Sequence, residues 1–555
     1  MKLNFYKNIK RTIIYTLFLS FSLYGHSNTK TTETSAPVVG NTHSIIPYPK
    51  DVTYSNSSLE LSGKITILAD KKLDKSSNII AKELEYFGLS VETLSSALNS
   101  NIKYVRYEKL TENEYIIEIN DKGITLFFSH EKGAFYGSQT LKQYLWSATV
   151  EGEKLLLPTI LIHDKPENDY RGFHIDVSRH FFPKEFVFKI IDQMALYKLN
   201  KLQMHLTDDQ GWRIVSDKYP LLTEVGGYRE FNEHDKWAIE RAKTDPDYNF
   251  NPAYVSGGQY GGFYTKEDII DIISYAGENY IEVIPEIDMP GHMSAAIRAY
   301  SWISCDGELD WGAEFSKPMC VPKEKVMTFA KEIWNEVSLL FPSNRVHIGA
   351  DEVDKSFWEN EVICQEFMKA NGWTHVNEIQ NYFVTEITNH LEAKGKLVTA
   401  WDDIMVSNED LIKNNVPASI DIMFWRDYKP EGARYAAENG NNIILTPWTW
   451  FYLSSRNSDE NFIAMYNFNE QEKLDSSVIE KKIGYQACVW TEHIPSEAVF
   501  ENFVFPRFQG FSEVAWTSKR DFNSFKERLK LHLNYMDRED INYKKPGFME
   551  AVNTP

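Results

Sequence analysis

Val346-His347-Ile348-Gly349-Ala350-Asp351-Glu352-Val353 reads as a short apolar strand that ends in two adjacent carboxylates. Gly349, just ahead of the pair, lets the backbone come close to a ligand. Two negative charges are not buried side by side unless one is protonated or partnered. On a solvated loop such a pair would be ordinary. Here an apolar run precedes it and Phe357 and Trp358 follow it, which marks the end of the strand as a site.

Working outward, strand-like and helix-period segments alternate along most of the chain. The strands are Arg171-Val177, Lys201-Thr207, Ile281-Ile287, Arg345-Ala350, Leu397-Ala400, Ser419-Phe424, Asn442-Leu445 and Gly484-Val489. Helix-period segments such as Pro183-Tyr197, Lys266-Glu278, Lys323-Leu340 and Glu378-Lys394 lie between most of them. This α/β alternation predicts a (β/α)8 TIM barrel. The rival, an open doubly wound sheet, would more often carry a Gly-rich phosphate loop after its first strand, and Ser178-Arg179-His180 stands there instead.

A barrel should gather its chemistry just past the strand C-termini. Strand two is followed by Asp208-Asp209-Gln210-Gly211-Trp212-Arg213, and strand three ends in Glu286-Ile287-Asp288-Met289-Pro290-Gly291-His292. Strand five ends in Trp401-Asp402-Asp403, strand six in Trp425-Arg426, and strand eight in Trp490-Thr491-Glu492. Trp448, Trp450 and Tyr452 follow strand seven. A lone Asp-Asp after a strand is usually a helix cap or a loop ion pair. Acids, Arg, His and Trp on one rim are not what packing alone produces.

Residues 43–165 read as a smaller α+β domain ahead of the barrel (166–520), and 521–555 as a C-terminal helical tail. Strand-like runs at Lys64-Leu68, Glu114-Ile119 and Gly123-Phe128 alternate there with helical stretches at Lys75-Phe87 and Glu131-Trp146. Residues 1–26 read as a signal peptide, with Lys2, Lys7, Lys10 and Arg11 before an apolar run too short to span a bilayer comfortably. Residues 27–42, rich in Thr and Ser, read as a flexible leader. The expected location is therefore periplasmic or extracellular, without a membrane anchor.

The 555 residues carry a formal net charge of -20, which argues against nucleic acid or an anionic membrane as the main partner. Aromatics are 14% of the chain, with 14 Trp and 30 Tyr; beyond filling a core, they can serve as stacking platforms for sugar rings. Cys305, Cys320, Cys364 and Cys488 fit no zinc spacing. Cys305 and Cys320 are placed to close a loop in an oxidising compartment, and Cys364 and Cys488 read as buried thiols.

A rim of Trp, carboxylates and Arg suits a neutral polyhydroxylated ligand. Glycoside hydrolysis usually needs two carboxyls flanking the bond, about 5–5.5 Å apart for retention and about 6.5–9.5 Å for inversion. Chain neighbours such as Asp351 and Glu352 do not readily reach an anomeric carbon from opposite faces. One carboxyl then serves as acid/base, and a 2-acetamido group on the sugar can be the nucleophile.

Four stretches carry a resemblance: Arg171-Gly172-Phe173-His174-Ile175-Asp176-Val177-Ser178-Arg179-His180-Phe181, His205-Leu206-Thr207-Asp208-Asp209-Gln210-Gly211-Trp212-Arg213, Pro285-Glu286-Ile287-Asp288-Met289-Pro290-Gly291-His292 and His347-Ile348-Gly349-Ala350-Asp351-Glu352. They resemble family 20 glycoside hydrolases, the β-N-acetylhexosaminidases, over about Ile45 to Trp516. The resemblance implies an exo-acting, retaining enzyme that releases terminal N-acetylglucosamine or N-acetylgalactosamine through an oxazolinium intermediate. It implies Glu352 as general acid/base and Asp351 as acceptor of the acetamido N–H. Tyr452 resembles the donor to the acetamido carbonyl, and Asp208 and His292 a pair supporting the acid. Arg179 and Glu492 match groups that hold ring hydroxyls; Trp401, Trp425 and Trp490 match an aromatic box. No metal or cofactor is called for.

Some residues have bland readings too. His180 is as readily a satisfied core histidine, Asp209 reads as structural, and Trp448 is wall packing or an outer sugar subsite. Where the family often reads Tyr-Leu-Asp, this chain has Tyr452-Leu453-Ser454. That implies a roomier, less anionic pocket for the sugar C6 group, one that admits a 6-O-sulfate, unless Ser454 or a water replaces the contact. The rival functions are a non-catalytic glycan-binding protein on the same barrel, a release of disaccharides like that of a lacto-N-biosidase, and a metal-dependent amidohydrolase. The last would want His-x-His after strand one, where Arg179-His180 stands.

Overall fold

The computed structural model describes residues 43–549, apart from 97–98, 232, 309–316 and 407–412. The expected signal peptide and leader lie outside the described residues. Among these, no helix is long and apolar enough to cross a membrane.

Eight parallel strands close into a barrel: Tyr170–Asp176, Lys201–His205, Glu282–Glu286, Arg345–His347, Leu397–Trp401, Asp421–Phe424, Ile443–Leu445 and Lys482–Val489, the last pairing with the first. All eight strands read from the sequence are present. The fourth is shorter than its apolar run. Its ladder stops at His347, because Gly349, Ala350 and Glu352 turn to φ of 66°, 68° and 46°. Strand register places His205 beside both Asp176 and Glu286, and Glu286 beside His347. Four polar side chains thus meet, fully buried, at the C-terminal end of the barrel.

Amphipathic helices wrap the outside, among them Lys184–Leu196, Lys266–Glu278, Glu324–Leu340 and Asn377–Glu392. Thr265 and Asp268 form a reciprocal capping box that starts the second of these, and Ile269, Ile272 and Ala276 are its buried stripe. The alternation breaks after the fifth strand. Among the described residues that connection holds only a one-turn helix, Asp402–Ile404, and no α-helix. Asp402 is committed there to Arg426, its carboxylate accepting from Nε at 2.8 Å.

Ahead of the barrel, an α+β unit carries a sheet in the order Asp51–Ser62, Lys154–Asp164, Tyr115–Asn120, Gly123–Phe128, Ile102–Arg106, Lys64–Leu68, Ser90–Leu94, with Thr149–Glu151 hairpinned onto Lys154–Asp164. Helices Asp74–Tyr86 and Glu131–Leu145 cover it. The sequence reading named three of these strands and missed Ser90–Leu94, Ile102–Arg106, Thr149–Glu151, Lys154–Asp164 and the sheet edge Asp51–Ser62, the last because an exposed serine-rich edge lacks clear alternation.

Buried ties bind this unit to the barrel. Lys198 donates to the Tyr115 hydroxyl at 2.9 Å and lies 3.4 Å from Asp164, over the face of Trp516. Burial drops the Lys198 ammonium to about 8 against the pull of Asp164. The last long helix, Phe522–Arg538, returns to the first described residues. Arg528 pairs with Glu513 and donates to the carbonyl of Ile45 at 2.7 Å. Burial keeps the His532 imidazole neutral, so Nε2–H donates to the Ser44 carbonyl while Nδ1 accepts from Tyr197. Cys305 and Cys320 form a disulfide, and Cys364 and Cys488 are buried free thiols. The Sγ of Cys364 lies 3.8 Å from that of Cys305.

Candidate active site

The turn after the fourth strand presents Asp351 and Glu352. Gly349 is required there: a Cβ on it would lie 1.9 Å from Asp288 Oδ1. Ala350 and Glu352 hold left-handed backbone without being glycine, a strain typical of sites rather than of loops. Ala350 N–H donates to Asp288 Oδ1 at 2.9 Å, and Glu352 N–H to Asp403 Oδ1 at 3.4 Å. Asp351 is buried, while the Glu352 side chain is about one-third exposed and so faces the open end of the barrel. Burial raises the Asp351 carboxyl well above the usual range, and neighbouring Asp288 adds to this.

His292, at φ 51°, stands between two pairs of acids. Its Nδ1 lies 3.2 Å from both Asp208 and Asp209, and its Nε2 lies 3.6 Å from Glu352 and 3.9 Å from Asp351. Burial opposes a charge on this imidazole, but Asp208 and the other carboxylates override it and hold the His292 pKa well above 6.5. Asp208 goes the other way. Burial alone would raise it, but Arg179 and His292 hold it well below the usual range. Asp209, read as structural, both bonds His292 and accepts from the N–H of Ser294 at 3.0 Å. It therefore fixes the imidazole.

Below this row lies a buried hub that the sequence reading quoted but gave no role. Glu286 accepts from Gln203 and from the indole N–H of Trp401, each at 2.8 Å. It also lies 3.0 Å from His205 Nδ1 and 3.1 Å from His347 Nδ1. His205 Nε2 in turn reaches Asp208 at 2.7 Å. Burial disfavours an imidazolium, but Glu286 and Asp208 hold the His205 pKa well above 6.5. The signal was in the register: acids and histidines at matching ends of adjacent strands must meet inside the barrel.

Asp176, also unremarked, positions Arg179. It accepts from the backbone of Ser178 and Arg179 and lies 3.2 Å from Nη1 of Arg179. Arg179 Nη2 sits 2.9 Å from Asp208 and 3.8 Å from Glu492, with its guanidinium over Trp490 at 4.9 Å. His180 faces away. It is bound to Thr491 and lies 3.5 Å from Asp235, so it is a core histidine.

The structure brings the aromatic residues together. Trp401 and Trp490 are 5.7 Å apart, Trp425 and Tyr452 stack at 6.1 Å, and Tyr452 lies 6.2 Å from Trp490. Asp403 Oδ2 holds the indole N–H of Trp425 at 2.8 Å. Burial pushes the Tyr452 phenol well above its usual range, so it stays a hydrogen-bond donor at neutral pH. Outside the box, Tyr428 and Trp448 are exposed, and Arg456 lies 3.9 Å over Trp448. Ser454 is half-buried, on a segment whose carbonyls at Leu453 and Ser455 are held by Arg507.

Several buried trios bring donor atoms within 4.8 Å of one another, including His174, His205 and Glu286, and also Asp208, Asp209 and His292. These are the groups that could hold a metal ion. Most of their charge is already balanced by the internal pairs given above.

Comparison with known proteins agrees with the two-part architecture. Residues 168–519 match the glycosyl hydrolase family 20 catalytic domain, and residues 42–165 match domain 2 of that family. A β-hexosaminidase of Porphyromonas gingivalis is 32% identical over 533 residues, 90% of this chain. The chain spans 64% of that relative's length. A family 20 exo-β-N-acetylglucosaminidase of Vibrio harveyi, solved with N-acetylglucosamine, superposes with a TM-score of 0.77 at 27% identity. The match covers 94% of this chain and 81% of that one. An N-acetyl-β-hexosaminidase of Streptomyces plicatus gives a TM-score of 0.72 at 26% identity, covering 92% and 99%.

Proposed function

Because the chain belongs to glycosyl hydrolase family 20, we propose that it is an exo-acting, retaining β-N-acetylhexosaminidase. It releases terminal N-acetylglucosamine or N-acetylgalactosamine by substrate-assisted catalysis. The observation that carries this reading is the Asp351-Glu352 turn, with Glu352 3.6 Å from His292, Asp351 buried, and Trp401, Trp425 and Trp490 gathered in one cluster at the same end of the barrel.

In this reading the sugar's acetamido carbonyl oxygen attacks the anomeric carbon as Glu352 protonates the leaving oxygen. Asp351 accepts the acetamido N–H and stabilises the charge of the oxazolinium ring, and Tyr452 donates to the carbonyl oxygen. Glu352 then takes a proton from water, which opens the ring with net retention. Asp208 and His292 hold Glu352, and Arg179 with Glu492 binds ring hydroxyls. The partner is a glycan with a terminal β-linked N-acetylhexosamine, met after export to the periplasm or outside the cell.

An aryl N-acetylglucosaminide should be cleaved, with and without a chelator, and the matching aryl glucoside should not. Equal rates on both, or a trapped glycosyl ester of the enzyme, would overturn the mechanism. Inactivation by the chelator would point to metal-dependent chemistry.

The C6 pocket follows from Ser454. A short neutral side chain there leaves room and removes a charge, and the guanidinium of Arg456 is two residues away. Tolerance of a 6-O-sulfate is the expected consequence. The test is turnover of 6-sulfated against unsulfated N-acetylglucosaminides; no activity on the sulfated sugar would remove the idea.

A further inference from the structure

Asp288 has no part in the chemistry so far, yet it is fully buried against Asp351. Its Oδ1 is occupied by the N–H of Ala350, and its own N–H donates to Thr207 Oγ1 at 3.0 Å. Its Oδ2 has no partner among the described residues, and neither has Asp351 Oδ1. Carboxylate oxygens of the two residues lie within 4.8 Å of each other, with His292 completing the cluster. Two buried carboxyls this close repel if both are ionised, and can bond strongly if one carries a proton.

We propose that Asp288 and Asp351 form a dyad that shares one proton, with Asp288 as the positioning residue that aims Asp351 at the substrate's acetamido N–H. This rests on the reading of Asp351 given above and deepens it. In the free protein the proton belongs to the pair rather than to either member. When substrate binds, its N–H needs an anionic acceptor, so the proton settles on Asp288. Asp288 then donates to Asp351 Oδ1, leaving Oδ2 free for the amide. The same bond keeps Asp351 from swinging away when the oxazolinium charge develops.

The surroundings are consistent with a single negative charge. His292 Nε2 lies 3.9 Å from Asp351 Oδ2 and favours an anion there. Glu286 adds negative charge on the Asp288 side and His205 offsets it, while Asp403 and Glu352 add negative charge around Asp351. The Tyr452 phenol feels Asp351 and remains neutral. Burial pushes Asp288 up to about 7, with His292 pulling it the other way.

The test is a pH profile of kcat/KM on a dinitrophenyl N-acetylglucosaminide, whose leaving group needs no proton from Glu352. In the wild type this profile should fall at alkaline pH, as the second dyad ionisation leaves two adjacent anions. Asp288→Asn keeps the acceptor for Ala350 and supplies a permanent neutral donor. It should lower kcat/KM by about threefold to tenfold at the optimum and abolish the alkaline fall. A fall unchanged in D288N overturns the proposal.

Infrared spectroscopy reads the dyad without activity or this variant. The wild type should show a protonated-carboxyl band that is lost at the pH of the kinetic fall. In Asp351→Asn the band should vanish at distinctly lower pH, because Asp288 then faces a neutral amide. A band unaltered by D351N, or no band, also overturns the dyad. A dyad present in a protein that cleaves no hexosaminide would instead count against the function proposed above.

Discussion

The indole Nε1 of Trp401 donates across 2.8 Å to Glu286 inside the barrel, where neither residue has any exposed surface. One carboxylate thereby holds an aromatic wall of the pocket and, through His205 and Asp208, the imidazole beside Glu352. Glu286→Gln keeps the shape but removes the charge that keeps His205 protonated. We expect kcat/KM to fall by about 10- to 100-fold, the range for groups that orient a reacting residue from behind. The His205 ring resonances, flat from acid to neutral pH in the wild type, should titrate in the variant. A variant with wild-type kinetics and flat His205 resonances would show that the hub does neither job.

Glu352 and Tyr452 act at different atoms, and leaving groups separate them. Glu352→Gln should cost several orders of magnitude on a glycoside with an alkyl leaving group and far less in the first step on a dinitrophenyl one. Tyr452→Phe should lower kcat/KM on both by a similar factor, about 10²–10³, since its hydrogen bond serves the nucleophile and not the leaving oxygen. The check is first-step kinetics on both substrates. Equal leaving-group dependence in the two variants would contradict the assignment.

The disulfide closes a loop with a sequence separation of 15 and has a third sulfur beside it. Replacing both Cys305 and Cys320 by Ala should lower stability by about 3 kcal/mol, read from urea midpoints. Cys320→Ser alone should recover part of this, because Cys364 is placed to take Cys305 as a new partner. Peptide mapping without reduction should find that Cys305–Cys364 bridge under oxidising conditions, and its absence would show that the thiols cannot approach.

Lys198 makes stability depend on pH. Its folded pKa of about 8 lies below the unfolded value of roughly 10.4, so within that window the native state binds fewer protons than the unfolded chain. Stability therefore rises with pH through the window, and the cost of burying the ammonium is fully present below it. Lys198→Met should flatten this rise. Urea midpoints from neutral pH to about pH 10 for both proteins supply the check.

The barrel was legible because each strand is a separate apolar run, and its chemistry was legible because polar residues at strand ends have no packing purpose. Glu286 and Asp288 were quoted within a motif and given no role. One sequence shows neither which strand ends are neighbours nor how deep a side chain lies, and both properties define these acids. Asp209 was set aside for a similar reason: its bond to His292 crosses between loops 83 positions apart. The edge strand Asp51–Ser62 escaped because exposure removes the alternation that marks a half-buried strand.

The residues at Ser44 and Ile45 are gripped by His532 and Arg528, 488 and 483 positions downstream. During synthesis the ribosome must deliver the helix Phe522–Arg538 before Ser44 and Ile45 can find their seats. Until then they stay available to chaperones. Contacts between such distant positions also form slowly. A nascent chain of this layout postpones that closure until the helix Phe522–Arg538 has been made.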